Sequence, residues 1–210
     1  MPLTLFPIFC TSIVPVQVNL LNLEHKRMGT LSLTPLQTLT ELLESAYAEG
    51  PDSPDSLLLV LDKKTIPSAE GKNVPATVPP VSTGPGPDFY GATIASLVAH
   101  VQETAGKGPI SGSYFLVVDQ QTPEDKTVLL VKCPKDAVER DDQSNPKVEI
   151  ESLRLATGQA NAPVVAMQVG SGSFAELEDN VAEDGVYRGG KGPSPKEGQP
   201  APRKKLGGEN

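Results

Sequence analysis

Residues 114–131 read YFLVVDQQTPEDKTVLLV, two apolar runs on either side of a polar loop. The first run is Tyr114–Val118 and the second is Val128–Val131. Short runs that are rich in valine, leucine and aromatic side chains are typical of buried strands. Two such runs around a loop from Asp119 to Thr127 predict a β-hairpin.

Helix and strand patterns continue on both sides of this hairpin. Thr34 and Pro35 suit the first turn of an amphipathic helix, and Ser173 with Glu176 has the spacing of a capping box before another one. Helices are predicted at residues 34–47, 93–104 and 173–184, and further strands at residues 57–61, 148–155 and 164–167. The fold class is therefore α/β (α+β), a single mixed sheet of about four to six strands with three helices packed on it.

Proline, glycine and charge divide the chain into a domain and its flanks. Residues 1–29 are predicted to be an apolar N-terminal extension, either a strand packed on the domain or the product of an upstream start codon ahead of Met28. Residues 30–190 are predicted to be a single α/β domain, with an irregular insertion at residues 63–88 that holds six prolines. Residues 191–210 lack an apolar period and are predicted to be a disordered basic tail.

The composition excludes several classes of partner. The net charge is −8, so the domain repels phosphate backbones and nucleic acid is not expected as a partner. Pro7 and Pro15 interrupt the apolar N-terminal residues, so a membrane span is not expected. His25 and His100 lie far apart with no cysteine at ligand spacing, which excludes a histidine- or cysteine-based zinc site. No cofactor is predicted.

The cysteines and the charge pattern favour an intracellular protein. Cys10 and Cys133 cannot make a disulfide framework, which suits a reducing compartment. A signal peptide would begin with positive charge, and no lysine or arginine precedes Lys26. The predicted location is the cytoplasm, or the nucleus because Pro202–Lys205 is a short basic cluster of the kind that can act as a nuclear address.

Three stretches, taken in order, resemble a known family. They are the aromatic-glycine turn Phe89–Thr93, the strand-aspartate-loop-strand of residues 114–131, and the stretch Phe174–Gly189 with its Asp-Gly-Val-Tyr-Arg-Gly ending. Together they resemble the family catalogued as domain of unknown function 6924, over roughly residues 57–190. The resemblance implies the fold, and it brings no established activity, cofactor or site.

The chain departs from that family in two places. Where relatives have a regular second strand, this chain has the prolines of residues 67–87. Where relatives have an asparagine-rich segment before the last helix, residues 160–172 carry Ala-Asn-Ala-Pro and Gly-Ser-Gly. If that segment is the working surface of the family, its function is lost or altered here.

Two aspartates are candidates for a metal site. Asp62 follows the apolar run Leu57–Leu61 as Asp119 follows Tyr114–Val118, each with a threonine three residues on. Ligands bind beyond the carboxyl ends of strands in open α/β sheets, and two adjacent carboxylates there could hold Mg²⁺ and orient a phosphate. The simpler interpretation, which we favour, is that Asp-x-x-Thr starts a turn by bonding its own backbone.

Cys133 and His100 have both a chemical and a structural interpretation. Lys132 and Lys135 near Cys133 would lower the pKa of a thiol and make it reactive. A small buried cysteine is the commoner case and is preferred. His100 is expected to be a partly exposed residue of its helix.

The last helix and the residues after it are the candidate interaction surface. An aromatic residue beside an arginine at a chain exit can anchor a partner. Alternatively, Tyr187 packs on the sheet and Arg188 pairs with the acidic helix. The predicted interaction residues are Glu176, Asp179, Glu183, Asp184, Tyr187 and Arg188.

The sequence predicts no biochemical activity. No nucleophile–base pair, cofactor loop or metal cluster stands out, so the sequence favours a non-enzyme and leaves the question of an enzymatic activity open. The leading hypothesis is a protein-interaction or regulatory domain with a protein partner. The alternatives are a metal-assisted phosphate or small-molecule enzyme that uses Asp62 and Asp119, and an immunity-like protein whose acidic surface neutralises a basic partner. The sequence does not determine the oligomeric state.

Overall fold

The computed structural model describes nine segments, namely residues 4–12, 16–21, 28–33, 35–50, 52–63, 74–83, 87–105, 109–134 and 150–190. Their strands are β1 (Phe6–Cys10), β2 (Val16–Leu21), β3 (Met28–Leu33), β4 (Leu57–Leu59), β5 (Tyr114–Val118), β6 (Thr127–Lys132), β7 (Glu151–Ala156) and β8 (Val186–Tyr187). Their helices are α1 (Pro35–Ala48), α2 (Ile94–Thr104), α3 (Thr122–Asp125), α4 (Ala162–Gln168) and α5 (Phe174–Asp179). None of the helices in these segments combines the length and the apolar character needed to cross a membrane.

Six of the strands form one mixed sheet in the order β4-β1-β5-β6-β7-β8. β1 is parallel to both of its neighbours, with Ile8 opposite Leu59 on β4 and Leu116 on β5. β5, β6 and β7 are antiparallel to one another in turn, and the two-residue β8 is parallel to β7. β2 and β3 form a separate antiparallel pair. The predicted hairpin and the predicted α/β class with a mixed sheet are confirmed.

Apolar side chains cover both faces of the six-stranded sheet. On one face, residues of α1, α4 and α5 pack in one cluster with residues of β1 such as Phe6 and Ile8. On the other face, α2 packs against Phe9, whose ring lies edge-on to Phe89 and Phe115 with centroids 4.9 and 5.5 Å away. Because successive side chains of a strand point to opposite faces, β1 contributes to both halves of the core.

β1 is central although Pro7 cannot donate a ladder hydrogen bond. Leu5 pairs with Ile110 before this point, and Ile8 pairs with Leu116 after it. Between these two pairs lie two residues on the β1 side and five, residues 111–115, on the β5 side. The segment that leads into β5 therefore bulges at this point. Pro7 lies opposite the interruption, where the ladder does not need its N–H.

The position of β1 corrects the predicted N-terminal limit of the domain. Residues 1–29 were expected to be an extension before a domain that starts at residue 30, either a strand packed on that domain or the product of an upstream start codon. All five residues of β1 are buried between β4 and β5, so residues 6–10 are part of the main sheet. A strand that is covered on both faces and bonded on both edges cannot be removed without opening the core.

The helix count also differs from the prediction, with five α-helices in the described segments rather than three. α3 is a single turn within the β5–β6 loop. α4 replaces the predicted strand at residues 164–167. Two consecutive valines favour a strand locally. Pro163, however, suits the first turn of a helix. Pro163 and Val164 are buried, whereas residues 165–167 are partly exposed, so the segment buries one side as an amphipathic helix does.

Part of the proline-rich insertion protects the outer edge of β4. No strand is present in residues 74–83, but Thr77 donates its N–H to the oxygen of Leu57 (2.8 Å) and accepts the N–H of Leu59 through its hydroxyl (2.9 Å). Tyr47 donates its hydroxyl to the oxygen of Thr77 (2.8 Å). Covering an edge strand in this way blocks pairing with other chains. The rest of the insertion (64–73 and 84–86) and the predicted tail (191–210) lie outside the described residues.

Candidate functional site

A cleft of about 460 Å³ opens at the carboxyl ends of β1 and β5. Its walls are Thr11 and Ser12 after β1, Asp119–Gln121 after β5, and the turn at Gly91 and Ala92 before α2. Gly91 has φ +70°, a conformation that favours glycine, and donates its N–H to the oxygen of Thr11 (2.9 Å). This is the edge of the sheet at which ligands bind in open α/β folds.

The carboxylate of Asp119 is held by groups of the protein itself. One oxygen accepts the backbone N–H groups of Gln121 (3.1 Å) and Thr122 (3.3 Å) and the hydroxyl of Thr122 (3.3 Å). The other oxygen accepts a hydrogen bond from the guanidinium of Arg154. The interpretation of Asp-x-x-Thr as a self-bonded turn is therefore the one that the structure realises.

Arg154 reaches Asp119 from β7, across β6. Its second amino group donates to the hydroxyl of Thr127 (2.9 Å), which in turn donates to a carboxylate oxygen of Asp125 (2.6 Å). The side chains of Arg154 and Asp119 are 19% and 27% exposed, so water screens this pair only in part. The network ties the carboxyl end of β5 to β6 and β7.

We expect Arg154→Met to lower the free energy of unfolding by about 1–2 kcal/mol, because a half-buried carboxylate loses its charged partner. The matched control is Lys126→Met, which breaks the ion pair between Lys126 and Glu41, where both side chains are about half exposed. That change should cost less than about 0.5 kcal/mol. Urea titrations followed by circular dichroism measure both values, and equal effects of the two variants would contradict the prediction.

Asp62 and Asp119 are not brought side by side. β1 lies between β4 and β5, so the carboxyl ends of the two strands are separated by two strand spacings, about 9.5 Å. Asp119 borders the cleft, and Asp62 is not among its lining residues. The described segments also hold no group of three or more His, Cys, Asp or Glu residues that could bind a metal. The metal-assisted alternative required adjacent carboxylates, and the strand order with β1 between β4 and β5 does not favour that arrangement.

Burial makes the two cysteines poor nucleophiles. Cys133 is 3% exposed, and burial raises the pKa of its thiol to about 11. Burial also raises the pKa of the Cys10 thiol. Both thiols are therefore protonated near neutral pH, and the buried, unreactive interpretation of Cys133 is the correct one.

His100 lies against the aromatic side chains under α2. Its ring is 5.3 Å from that of Phe89 and 6.0 Å from that of Phe9, centroid to centroid. Burial lowers its pKa below the usual value, and its Nε2 is buried without a hydrogen-bond partner. His100 is half-buried, in agreement with the partly exposed position expected on its helix. Its ring packs against Phe9 and Phe89 and does not line either concave site.

A second concave site, the α4–α5 groove, has a volume of about 430 Å³. It lies between α4 and α5 and is closed at one end by Tyr187 of β8. Apolar side chains form most of its lining, and Gln159, Glu176 and Asn180 add polar groups. The groove residues are Gln159, Ala162, Pro163, Ala166, Met167, Gly172, Ser173, Glu176, Leu177, Asn180, Tyr187 and Gly190.

A buried asparagine attaches the start of α4 to the sheet. Asn161 is fully buried, and its side-chain oxygen accepts the N–H (3.2 Å) and the hydroxyl (2.8 Å) of Ser56. Its amide group donates to the oxygen of Pro54 (3.2 Å). Gln159 donates to Glu49 at the end of α1 (2.5 Å), so the groove wall is also attached to α1.

The second wall of the groove is stabilised at both ends of α5. The predicted capping box is present: Ser173 accepts the N–H of Glu176 (3.2 Å), and the carboxylate of Glu176 accepts the N–H of Ser173 (2.8 Å). Asn180 donates its amide to the backbone oxygen of Glu176 (2.7 Å). Both walls are thus held by hydrogen bonds that do not depend on a ligand.

Two of the six predicted interaction residues line the groove. These are Glu176 and Tyr187, whereas the other four are exposed and do not line it: Asp179, Glu183, Asp184 and Arg188. α5 ends at Asp179, so Glu183 and Asp184 lie in the turn before β8 and not on the helix as expected.

Tyr187 agrees with the packing alternative drawn from the sequence, whereas Arg188 pairs with the turn after α5 and not with the helix. Tyr187 is partly buried and packs against the core, although it also borders the groove. Arg188 donates two hydrogen bonds to the carboxylate of Asp184 (2.8 and 2.6 Å). These bonds lower the pKa of Asp184 and raise that of Arg188.

Several groove residues were not singled out from the sequence. Gln159, Met167 and Asn180 come from three different elements, and their common position depends on how α4 and α5 cross the sheet. One signal pointed to the region, since the sequence singled out residues 160–172 as a segment that departs from the resemblance. Asn161 lies in that segment, and its role here is structural.

Comparison with protein families identifies the chain. The model described as Domain of unknown function (DUF6924) matches residues 68–190, which is more than half of the 210 residues. The chain belongs to this family. The match includes α2 and all elements from β5 to β8, hence the whole α4–α5 groove, while β1, α1 and β4 precede it.

Membership of the family confirms the predicted resemblance and supplies no activity, because the family is described by its unknown function. Comparisons with curated proteins and with solved structures found no match. A function for the domain therefore has to be argued from its own residues.

Proposed function

We propose that this member of the family is a non-enzymatic protein-interaction domain whose α4–α5 groove binds a partner segment that combines apolar and basic side chains. The observation that carries the proposal is the groove itself, a mostly apolar concavity whose lining includes Glu176 and whose helix α5 also carries the exposed Asp179. Its volume of about 430 Å³ is within the range of about 300–1,000 Å³ that is usual for binding clefts.

The lining of the groove favours an apolar contact. Ala162 and Ala166 leave open space along α4, and Met167, Leu177 and Tyr187 border it with larger apolar groups. Methionine adapts its shape to different ligands, and tyrosine contributes a large rigid surface at a small entropic cost. These residues are suited to take the apolar side chains of an extended or helical segment.

The charges around the groove favour a basic segment. Glu176 lines the groove, and Asp179 and Glu183 are exposed on the same stretch of chain. Glu176 and Asp184 already accept hydrogen bonds from groups of the domain, which weakens their attraction for a basic partner. We therefore assign the main electrostatic role to Asp179 and Glu183. Carboxylates at the rim of a site raise the rate of association with basic partners more than the final affinity.

Selection of peptides tests the proposal without a known partner. Random 12-residue peptides displayed on phage would be selected on the full chain at low salt, and the recovered peptides measured by fluorescence anisotropy. We expect them to combine apolar residues with lysine or arginine. Their affinity should fall at least tenfold with Ala166→Lys, which places a positive charge in the groove.

The matched control is Val169→Lys, a residue just after α4 that is 71% exposed and does not line the groove. It adds the same charge and should leave peptide affinity unchanged. A second pair compares Asp179→Asn/Glu183→Gln, which should weaken binding, with Glu103→Gln/Glu124→Gln on α2 and α3, which should not. Failure to recover any peptide, or an equal loss with both lysine variants, would contradict the proposal.

For location, we propose the cytoplasm or the nucleus. The two buried, reduced cysteines suit such compartments, and Pro202–Lys205 supplies a basic cluster. Imaging of the full chain fused to a fluorescent protein tests the proposal, and secretion of the fusion would overturn it.

A further inference from the structure

The α4–α5 groove adjoins the point at which the described chain ends. Gly190 lines the groove, and the side chain of Asn180 lies so close that a Cβ added to Gly190 would come within 3.0–3.2 Å of its atoms. Whatever follows Gly190 therefore starts at the wall of the groove. The position is a consequence of β8, which carries the chain back past the end of α5.

The sequence after Gly190 has the chemistry that the groove is suited to bind. Residues 191–210 hold five of the 18 basic side chains and two of the 26 acidic ones, so they carry +3 while residues 1–190 carry −11. Three of the basic residues are consecutive, Arg203–Lys205, and Leu206 follows them directly. Leu206 is the one large apolar residue among these 20.

We infer that the segment Arg203–Leu206 binds in the α4–α5 groove of its own chain, with Leu206 against the apolar lining and the basic residues against Asp179 and Glu183. This inference rests on the proposed function, because it names the regulation of the same site. The segment competes with the partner, so a partner binds only to the fraction of molecules whose groove is open.

The length of the connection allows this return. Twelve residues separate Gly190 from Arg203. Twelve residues can reach at most about 40 Å when fully extended, whereas α5, with six residues, is about 9 Å long. Tethering of this kind gives an effective concentration on the order of 1 mM, so even a weak contact keeps the groove occupied.

Charge and apolar contact act at different ranges in this arrangement. The opposite net charges attract the segment to the domain at low salt. At 0.1 M salt, screening removes most of that attraction at separations beyond about 10 Å. The leucine supplies contact that salt does not weaken. Substitution of Leu206 therefore separates occupation of the groove from general attraction to an acidic surface.

A paramagnetic label on the full chain tests the inference without any partner. Gly208→Cys can be labelled selectively, because Cys10 and Cys133 are buried at 1% and 3% exposure. Nuclear magnetic resonance would then follow the amide signals of Ala166 and Gly172 in the groove and of Val98 on α2, on the opposite face of the sheet. We expect the groove signals to lose at least half of their intensity and the α2 signal to keep it.

Leu206→Glu in the same labelled chain should restore the groove signals, whereas Ala201→Glu, which adds the same charge within the same segment, should restore them less. Equal broadening on both faces, or no difference between the two variants, would overturn the inference. The domain itself is unchanged in every one of these chains, so a loss of folding cannot imitate the result.

A second measurement separates this inference from the proposed function. If the segment occupies the groove nine times out of ten, the selected peptides should bind the Leu206→Glu chain about tenfold more tightly than the natural chain. Equal affinities without groove broadening would overturn the inference and leave the proposed function in place. Groove broadening without any selected peptide would overturn the proposed function and support an intramolecular site.

Discussion

Replacing Phe9 with alanine is expected to lower the free energy of unfolding by about 3–5 kcal/mol, which is a large part of the total stability of a domain of this size. Phe9 is 1% exposed and packs edge-on against Phe89 and Phe115. Removing its ring leaves a cavity in the layer between the sheet and α2, which the neighbouring strands cannot close because β1 is bonded on both edges. Urea unfolding followed by circular dichroism measures the change.

Two further variants make this test graded and specific. Phe9→Leu conserves most of the volume and should cost less than half as much as the alanine variant, so an effect remains measurable if Phe9→Ala does not fold. Val169→Ala, at a side chain that is 71% exposed, should change stability by less than about 0.5 kcal/mol. Comparable values for Phe9→Ala and Val169→Ala would show that residues 6–10 are not part of the core sheet.

Replacing Asn161 with leucine should cost about 3–5 kcal/mol, although leucine is the more apolar residue. The N–H and the hydroxyl of Ser56 both lose their acceptor, and Ser56 is itself fully buried. Each buried polar group without a partner costs about 1–3 kcal/mol. The same unfolding titration, together with the peptide affinity of the groove, measures the effect on both stability and site.

The control for Asn161 is Asn180, an exposed asparagine that lines the groove. Asn180→Ala removes a hydrogen bond to the oxygen of Glu176 in an exposed position and should cost no more than about 1 kcal/mol. In addition, Ser56→Ala removes one of the groups that Asn161 satisfies, so Asn161→Leu should cost less in that background. Additive effects of Ser56→Ala and Asn161→Leu would contradict the proposed coupling.

Local rules predicted those elements whose signals lie within a few residues. Thr93 caps α2 by accepting the N–H of Ser96, and Ser173 with Glu176 forms the capping box expected for α5. The β5–β6 hairpin was predictable for the same reason, because its two apolar runs are separated by a single short loop. In each case the residues that define the element also supply its hydrogen bonds.

Predictions that needed partners distant in sequence were less accurate. Residues 1–29 were taken for an extension, either a strand packed on the domain or the product of an upstream start codon. The central position of β1, with the bulge opposite Pro7, becomes visible only when residues 110–116 are placed beside it. Residues 164–167 were taken for a strand because valines favour one, and burial on a single face of α4 decided otherwise. Neither fact is encoded in the segment concerned.

The candidate sites show the same difference between features set by near neighbours and features set by residues distant in sequence. The sequence by itself determined that a capped acidic helix begins at Ser173 and that Asp119 starts a turn, since capping, turn chemistry and charge depend on near neighbours. Only the tertiary structure decided that Asp62 and Asp119 are separated by β1 and that α4, α5 and Tyr187 enclose a groove. The physical reason is that a concave site is made by side chains distant in sequence, whose meeting depends on strand order and helix packing.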